Sequence, residues 1–207
     1  MKHVLGPGSG TTLTEVKDGD CQPNAVDLRL DKVFKIKNDY FQISNDEKKH
    51  RGTEYEIKPS QDGYFTLEPG HYEVVMENII NVGKNEAGWV ITRSTLNRNG
   101  LFLTSGLYDS GYHGTMAAVL HVTIGAARIK KGTRIGQYLS FDAEMLHEYD
   151  GSYGFDNTGK PKEDEKKYWR MFQLDIDLEY LSVLTVRTEI DKPNFINLTL
   201  DNLTNIN

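Results

Sequence analysis

Arg93 and Ser94 stand side by side in "TRSTLNRNGL", and Asp109 and Tyr112 follow within "SGLYDSGYHG". A guanidinium and a hydroxyl at the start of a helix suit an anion. The free backbone N–H groups there attract phosphate oxygens, and an adjacent cation strengthens the pull. A lone carboxylate at a strand end, Asp109, can serve as general base for water. A tyrosine ring between glycines, Tyr112, can stack on a sugar or a base. Phosphate, sugar and base together are the parts of a nucleoside triphosphate. Each residue also has a plainer role open to it: an ordinary N-cap with a surface ion pair, a turn aspartate before glycine, a packed edge tyrosine.

Three further positions extend the set. Asp27 lies on the polar face of "AVDLRL", where it holds a water or a magnesium ion, or faces solvent. Gln137 in "KGTRIGQ" donates to phosphate or pairs across a sheet. Phe155 in "GSYGFDNTG" sits among glycines whose backbone N–H groups can wrap a phosphate while the ring lies over a base. His113 and His121 have no His or Cys partners at metal-ligand spacing, so no zinc site is expected.

The chain that must position these residues has 207 of them, with 24 Lys plus Arg against 30 Asp plus Glu and a formal net charge of -6. An acidic surface is a poor match for a nucleic-acid polymer, whereas a small anion in a locally basic pocket fits. Cys21 is the single cysteine, which excludes a disulfide framework. No apolar run approaches the roughly 18 residues of a membrane span. "MKHVLGPGSGTTL" lacks the apolar core of a signal peptide, so the two sequons at Asn197 and Asn202 are read as chance. A cytoplasmic protein without membrane contact is expected.

The elements read as strands. "AVDLRL" alternates, "YFTLEPGHYEVVM" has a Pro-Gly turn between strand-like pieces, "TMAAVLHVTI" is an apolar run of strand length, and "ARIKKGTRIGQYLSF" turns at Lys-Lys-Gly. Short strands with regular Gly and Pro punctuation predict an all-β barrel or sandwich. One short helix is expected at "STLNRN", capped by Ser94. The expected boundaries are a barrel over 1–145, a mobile glycine-rich arm over 146–164 and a C-terminal β extension over 165–207. In that extension "FQLDIDLEY" alternates strictly.

In chain order these stretches resemble the dUTPase and dCTP deaminase superfamily, homotrimeric β-barrel enzymes of nucleotide metabolism, over roughly residues 20 to 160. "CQPNAVDLRL" looks like the first motif in its deaminase form, and "LEPGHYEVV" like the strand pair that precedes the second. "TRSTLNRNGL" is similar to the Arg-Ser motif of both branches and "SGLYDSGYHG" to the third motif. "KGTRIGQ" resembles the fourth, and "GSYGFDNTG" the glycine-rich fifth motif of dUTPases.

The resemblance implies a dUTPase-like β-barrel, a distorted jelly roll, with sites between the subunits of a homotrimer. Asp109 would orient or deprotonate the attacking water. Tyr112 would pack on the deoxyribose. Arg93, Ser94 and Gln137 would hold phosphates around Mg²⁺, with Asp27 supporting the water and metal region indirectly. Phe155 would close over the base from another subunit. Backbone groups of a hairpin near Leu103 to Leu107 would read uracil. Arg98 and the first motif look deaminase-like. Against deamination, the strand after the third motif has no proton-shuttling glutamate: Val119 or His121 falls near its place. Leu107 replaces a usual arginine, and Gly111 replaces the second aspartate of the dUTPase form. The expectation is a dUTP diphosphatase. The alternatives are a dCTP deaminase with an altered shuttle such as His121, and a non-catalytic nucleotide-binding regulator on the same fold.

Overall fold

The computed structural model describes residues 1–165; the alternating "FQLDIDLEY" and the tail beyond it lie outside the described residues. Among those described, the chain runs β1 (Thr12–Leu13), β2 (Val26–Ile36), β3 (Gln42–Ile43), β4 (Lys48–Lys49), β5 (Thr53–Ile57), β6 (Tyr64–Leu67), β7 (Gly70–Asn81), β8 (Glu86–Thr92), α1 (Ser94–Asn97), β9 (Leu101–Thr104), β10 (His113–Val122), β11 (Ala127–Lys130) and β12 (Arg134–Asp142). The main sheet is ordered β8-β12-β2-β7-β10-β9, with β1 added to β7 and β5 to β2. All its pairings are antiparallel. The expected all-β fold with one short helix is what forms.

The sheet curls until its edges meet. β8 and β9 share no backbone ladder, and side chains close the seam between them. Leu103 N–H donates to Thr92 Oγ1 at 2.6 Å, and Val90 N–H donates to Ser105 Oγ at 3.0 Å. Below them Gly88 and Tyr108 exchange both backbone bonds, at 3.1 and 2.7 Å. An exposed sheet edge is a row of unpaired donors and acceptors, and these bonds remove it.

Inside lie Val26, Leu28, Leu30, Val33, Val74, Met76, Ile80, Met116, Leu120, Ile135 and Tyr138, all buried in one cluster. The alternation of β2 explains its share. Val26, Leu28 and Leu30 point inward, and a bulge between Leu30 and Lys32 shifts the phase so that Val33 follows. β6 and β11 pair with each other and add Phe65, Leu67 and Ile129 to the core. The Pro-Gly and Lys-Lys-Gly turns are therefore corners between sheets, not hairpin tips. Ser94 is the first helical residue and caps nothing. Arg93 holds the N-cap position without a side-chain bond, and Arg98 ends the helix.

The N-terminal segment is pinned by one carboxylate. Glu86, 3 % exposed, accepts from Gly10 N–H, Thr11 N–H, the Thr11 and Ser9 hydroxyls and Lys2 Nζ. Burial alone would raise its carboxyl, but these donors outweigh it and hold it at about 2 against an ordinary 4.5. A depressed folded value stabilises the fold above pH 4.5, and that stability is lost as pH falls toward 2. The interval is worth on the order of 3 kcal/mol. Glu86→Gln should lower the unfolding free energy at pH 7 in urea titrations. The gap to the wild type should close as pH drops from 5 toward 2. A gap that stays constant with pH would mean the charge of Glu86 is not its source.

Candidate functional site

Two groups of candidate residues form, one at each end of β8. At the far end, β2, β12 and the β8–α1 corner converge on Asp27. This residue faces outward on β2 yet is 0 % exposed. Gln137 stands opposite it across the ladder and donates from Nε2 to Asp27 Oδ1 at 2.9 Å. Arg93 Nε lies 3.4 Å from the same oxygen, and Arg134 Nη1 lies 3.4 Å from Oδ2. Oδ2 itself accepts no hydrogen bond among the described residues. A buried carboxylate needs such compensation. Two guanidiniums on one carboxylate leave a net positive charge, and both arginine side chains remain partly open to solvent.

Arg134 was not among the residues the sequence singled out. It lies three positions before Gln137, an odd interval that puts two strand residues on opposite faces. A bulge between Arg134 and Gly136 restores them to one face and buries Ile135. The bulge has no signature in "KGTRIGQ". Arg134 also donates to Gly19 O at 2.6 Å. Beside it, buried Asp20 receives Arg29 Nε at 2.9 Å and Nη2 at 2.6 Å. Burial raises the Asp20 carboxyl, yet the Arg29 and Lys17 donors bring it below its ordinary value. Ser94 is exposed at the start of α1, next to Arg93, and Arg98 is exposed at its end.

The second group sits on the β9–β10 connection. Asp109 is exposed, and its carboxylate makes no hydrogen bond or ion pair among the described residues. Its backbone, by contrast, is fixed from both sides. Tyr108 bridges Gly88, Ser110 Oγ donates to Glu86 O at 2.6 Å, Gly111 N–H donates to Val82 O at 3.1 Å, and Tyr112 N–H donates to Asp109 O at 3.0 Å. Gly111 has φ +80°, a conformation that a second aspartate here would adopt only under strain. Leu107 is 53 % exposed on the same connection. Gly88, bridged to Tyr108, and Arg93 lie five residues apart along β8, about 16 Å at strand rise. Asp109 and the Asp27 cluster therefore do not meet within one chain.

Tyr112 is packed, not open. Its ring is 8 % exposed, edge-on to Tyr108 and Tyr149, and its hydroxyl donates to Thr115 O at 2.9 Å. Burial, and then the charge of Glu165, push that hydroxyl far above its ordinary value. Phe155 departs from the expectation of a mobile arm. It is buried edge-on against His113, and its N–H donates to His113 O at 2.6 Å. The segment from 146 to 165 is docked on its own barrel because its backbone donors find partners there: Tyr149 N–H bonds Ser110 O at 2.9 Å. A cleft of about 470 Å³ opens between this segment and the β7–β8 turn, bordered by Lys84, Gly111, His113, Tyr149, Phe155 and Lys162. His121, the alternative proton shuttle, shares a 2.8 Å bond between Nδ1 atoms with His71, bonds Thr104 Oγ1 through Nε2 at 2.9 Å and stacks on Phe102.

The dCTP deaminase-like family profile matches residues 8–142. A probable deoxyuridine 5'-triphosphate nucleotidohydrolase of Halobacterium salinarum is 32% identical over 148 residues, 69% of this chain and 88% of that protein. The deoxyuridine 5'-triphosphate nucleotidohydrolase of Methanocaldococcus jannaschii is 30% identical over 140 residues, 67% of this chain and 89% of that protein. Among solved structures, 2'-deoxycytidine 5'-triphosphate deaminase from Agrobacterium tumefaciens shares the fold, with a TM-score of 0.51 at 17% identity. The match covers 63% of this chain and 43% of that one, so this chain spans less than half of that deaminase.

The charge balance at Asp27 is directly testable. Asp27→Asn keeps the bond to Gln137 available but leaves Arg93 and Arg134 facing each other uncompensated. Because both arginines are partly open to solvent, losing these charged contacts costs about 1–3 kcal/mol. Denaturant unfolding should report a loss of that order, reduced by added sulfate or pyrophosphate that takes the place of the carboxylate. An unchanged midpoint would show that the arginines do not depend on Asp27.

Proposed function

The chain belongs to the dCTP deaminase-like family, and from that premise we propose that it hydrolyses dUTP to dUMP and pyrophosphate. The observation that carries this reading is Asp109: a solvent-facing carboxylate on a backbone fixed by several hydrogen bonds. Such a group takes a proton from water as the water oxygen bonds the α-phosphorus. The bond from that phosphorus to the bridging oxygen breaks, and pyrophosphate leaves. The named activities of the halobacterial and methanogen relatives support the same substrate.

Arg93, Arg134 and Gln137 supply the charge and donors for a triphosphate, whose developing negative charge fixed cations stabilise. Ser94, exposed beside Arg93, adds a hydroxyl. Leu107 and its neighbours on the connection after β9 offer bare backbone to a base. Arg98 faces solvent on the same corner as Ser94. Tyr112 and Phe155 act from beneath, as the packed floor of the third-motif loop. The two groups lie at opposite ends of β8, which supports a homotrimer in which Asp109 of one subunit completes the Asp27 cluster of the next.

Mg²⁺ fits this arrangement as an ion carried by the triphosphate. Among the described residues no three His, Cys, Asp or Glu side chains form a cage, and magnesium commonly keeps its waters and binds through substrate phosphates. Asp27 Oδ2, buried and without a hydrogen-bond donor, would accept from one such water. When bound, the ion would neutralise phosphate charge.

Asp109→Asn preserves the loop and removes the base. Pyrophosphate release from dUTP should fall by at least about 100-fold, the scale of general-base contributions, while binding of a non-hydrolysable dUTP analogue persists. Full activity in that variant would sink the reading.

One observation favours a second reading, deamination of dCTP. Val119 holds no proton, but Glu73 stands directly opposite it in the β7–β10 register, on the same face of the sheet. A glutamate there can take a proton from water and return it to ammonia. Incubation with dCTP, following ammonia and pyrophosphate together, decides between them. Diphosphatase activity alone yields no ammonia. Ammonia that disappears in Glu73→Gln would establish deamination.

A further inference from the structure

Glu165 is a deeply buried carboxylate that the reaction above does not use. It is 1 % exposed and lies fifty residues from its main partner. The β7–β10 ladder is irregular between Thr115 and Ala117, where β7 carries the extra residues, and Thr115 N–H donates to Glu165 Oε1 at 2.9 Å. Oε2 receives Gly154 N–H at 3.1 Å. One carboxylate thus joins the barrel to the docked segment. A charge is buried here only because both oxygens are satisfied.

The segment it fastens lies on the loop that carries Asp109. Tyr149 N–H bonds Ser110 O, and the Tyr149 ring lies edge-on to Tyr112. Gly154 has φ +84°, and an added Cβ would meet His113 O at 2.3 Å, so the segment approaches β10 as closely as glycine allows. The residue whose N–H Glu165 holds, Thr115, also accepts the Tyr112 hydroxyl through its carbonyl. Tyr112 N–H in turn bonds Asp109 O. The chain of contacts is short: Glu165, Thr115, Tyr112, Asp109.

We propose that Glu165 is a positioning residue for Asp109, acting through Thr115 and the docked 146–165 segment. The proposal rests on the reading of Asp109 as general base. It separates Glu165 from a residue that only stabilises the barrel, because it places the effect on the chemical step.

The test uses the full chain with Glu165→Gln and Glu165→Ala. Amide hydrogen exchange is read at Thr115 and Gly154, and kcat and KM for dUTP are measured on the same preparations. Glutamine keeps one acceptor and turns the other into a donor, so it should retain part of the contact where alanine retains none. The expected result is graded. Exchange at both amides accelerates at least tenfold in Glu165→Ala and less in Glu165→Gln. kcat falls in the same order, at least tenfold for alanine, while KM stays within about twofold. Accelerated exchange with unchanged kcat would overturn the positioning role and leave a fastening contact. Unchanged exchange would overturn the contact itself. If Glu165→Ala does not fold, Glu165→Gln carries both readouts. A wild-type protein that releases no pyrophosphate from dUTP would overturn the Asp109 reading and the catalytic half of this proposal with it. The exchange rates would still decide whether Glu165 fastens the segment.

Discussion

The structure depends on closing the sheet between β8 and β9. These strands meet without a ladder, so Thr92 and Ser105 supply the bonds that backbone groups would otherwise make. An open edge at this place would leave buried backbone groups unpaired, each costing about 1–3 kcal/mol. Closure also sets the spacing of the candidate site. β8 leads into Arg93 at one end and is bridged to the Asp109 loop near the other. A strand is stiff, so the two halves are held a fixed distance apart. Within one chain they do not meet.

Three buried carboxylates tie irregular segments to this rigid barrel. Glu86 gathers the N-terminal segment, Asp27 the corner before α1, and Glu165 the segment after β12. The chemistry differs with the donors present. Glu86 receives the N–H groups of Gly10 and Thr11, which lie outside any strand, and Glu165 receives one from β10 and one from Gly154 of the docked segment, which satisfies charge and backbone together. Asp27 faces two guanidiniums and one amide instead and keeps one oxygen unbonded. Asn78 Oδ1, Tyr138 Oη and Ser140 Oγ are likewise buried without a hydrogen-bond partner among the described residues, so what distinguishes the Asp27 cluster is two guanidiniums on one carboxylate.

The docked segment changes how the aromatic residues are understood. Tyr112 and Phe155 could each have been a ring presented to a ligand. In the chain they are packed against Tyr108, Tyr149 and His113, where their contribution is to shape and stiffen the loop beside Asp109. Ring burial and a fixed backbone limit the positions the Asp109 carboxylate can take.

The sequence by itself determined the class of fold and supplied most of the candidates for the site. Alternation in "AVDLRL" and the apolar "TMAAVLHVTI" foretold strands because pleating alternates faces. Arg93, Asp27 and Gln137 were legible as a set because their motifs occur in order, and Asp109 because its loop is written in Gly, Asp and Ser. Only the tertiary structure decided which residues share a face. Bulges in β2 and β12 shift the strand phase by one residue, and it is a bulge that brings Arg134 to Asp27; docking of the segment after β12 is what brings Glu165 to Thr115 N–H. The expected N-cap at Ser94 gave way to Arg93, and the expected free arm gave way to a docked one. Both turned on where unpaired backbone groups found partners, and those partners lie tens of residues away, beyond the reach of any local pattern.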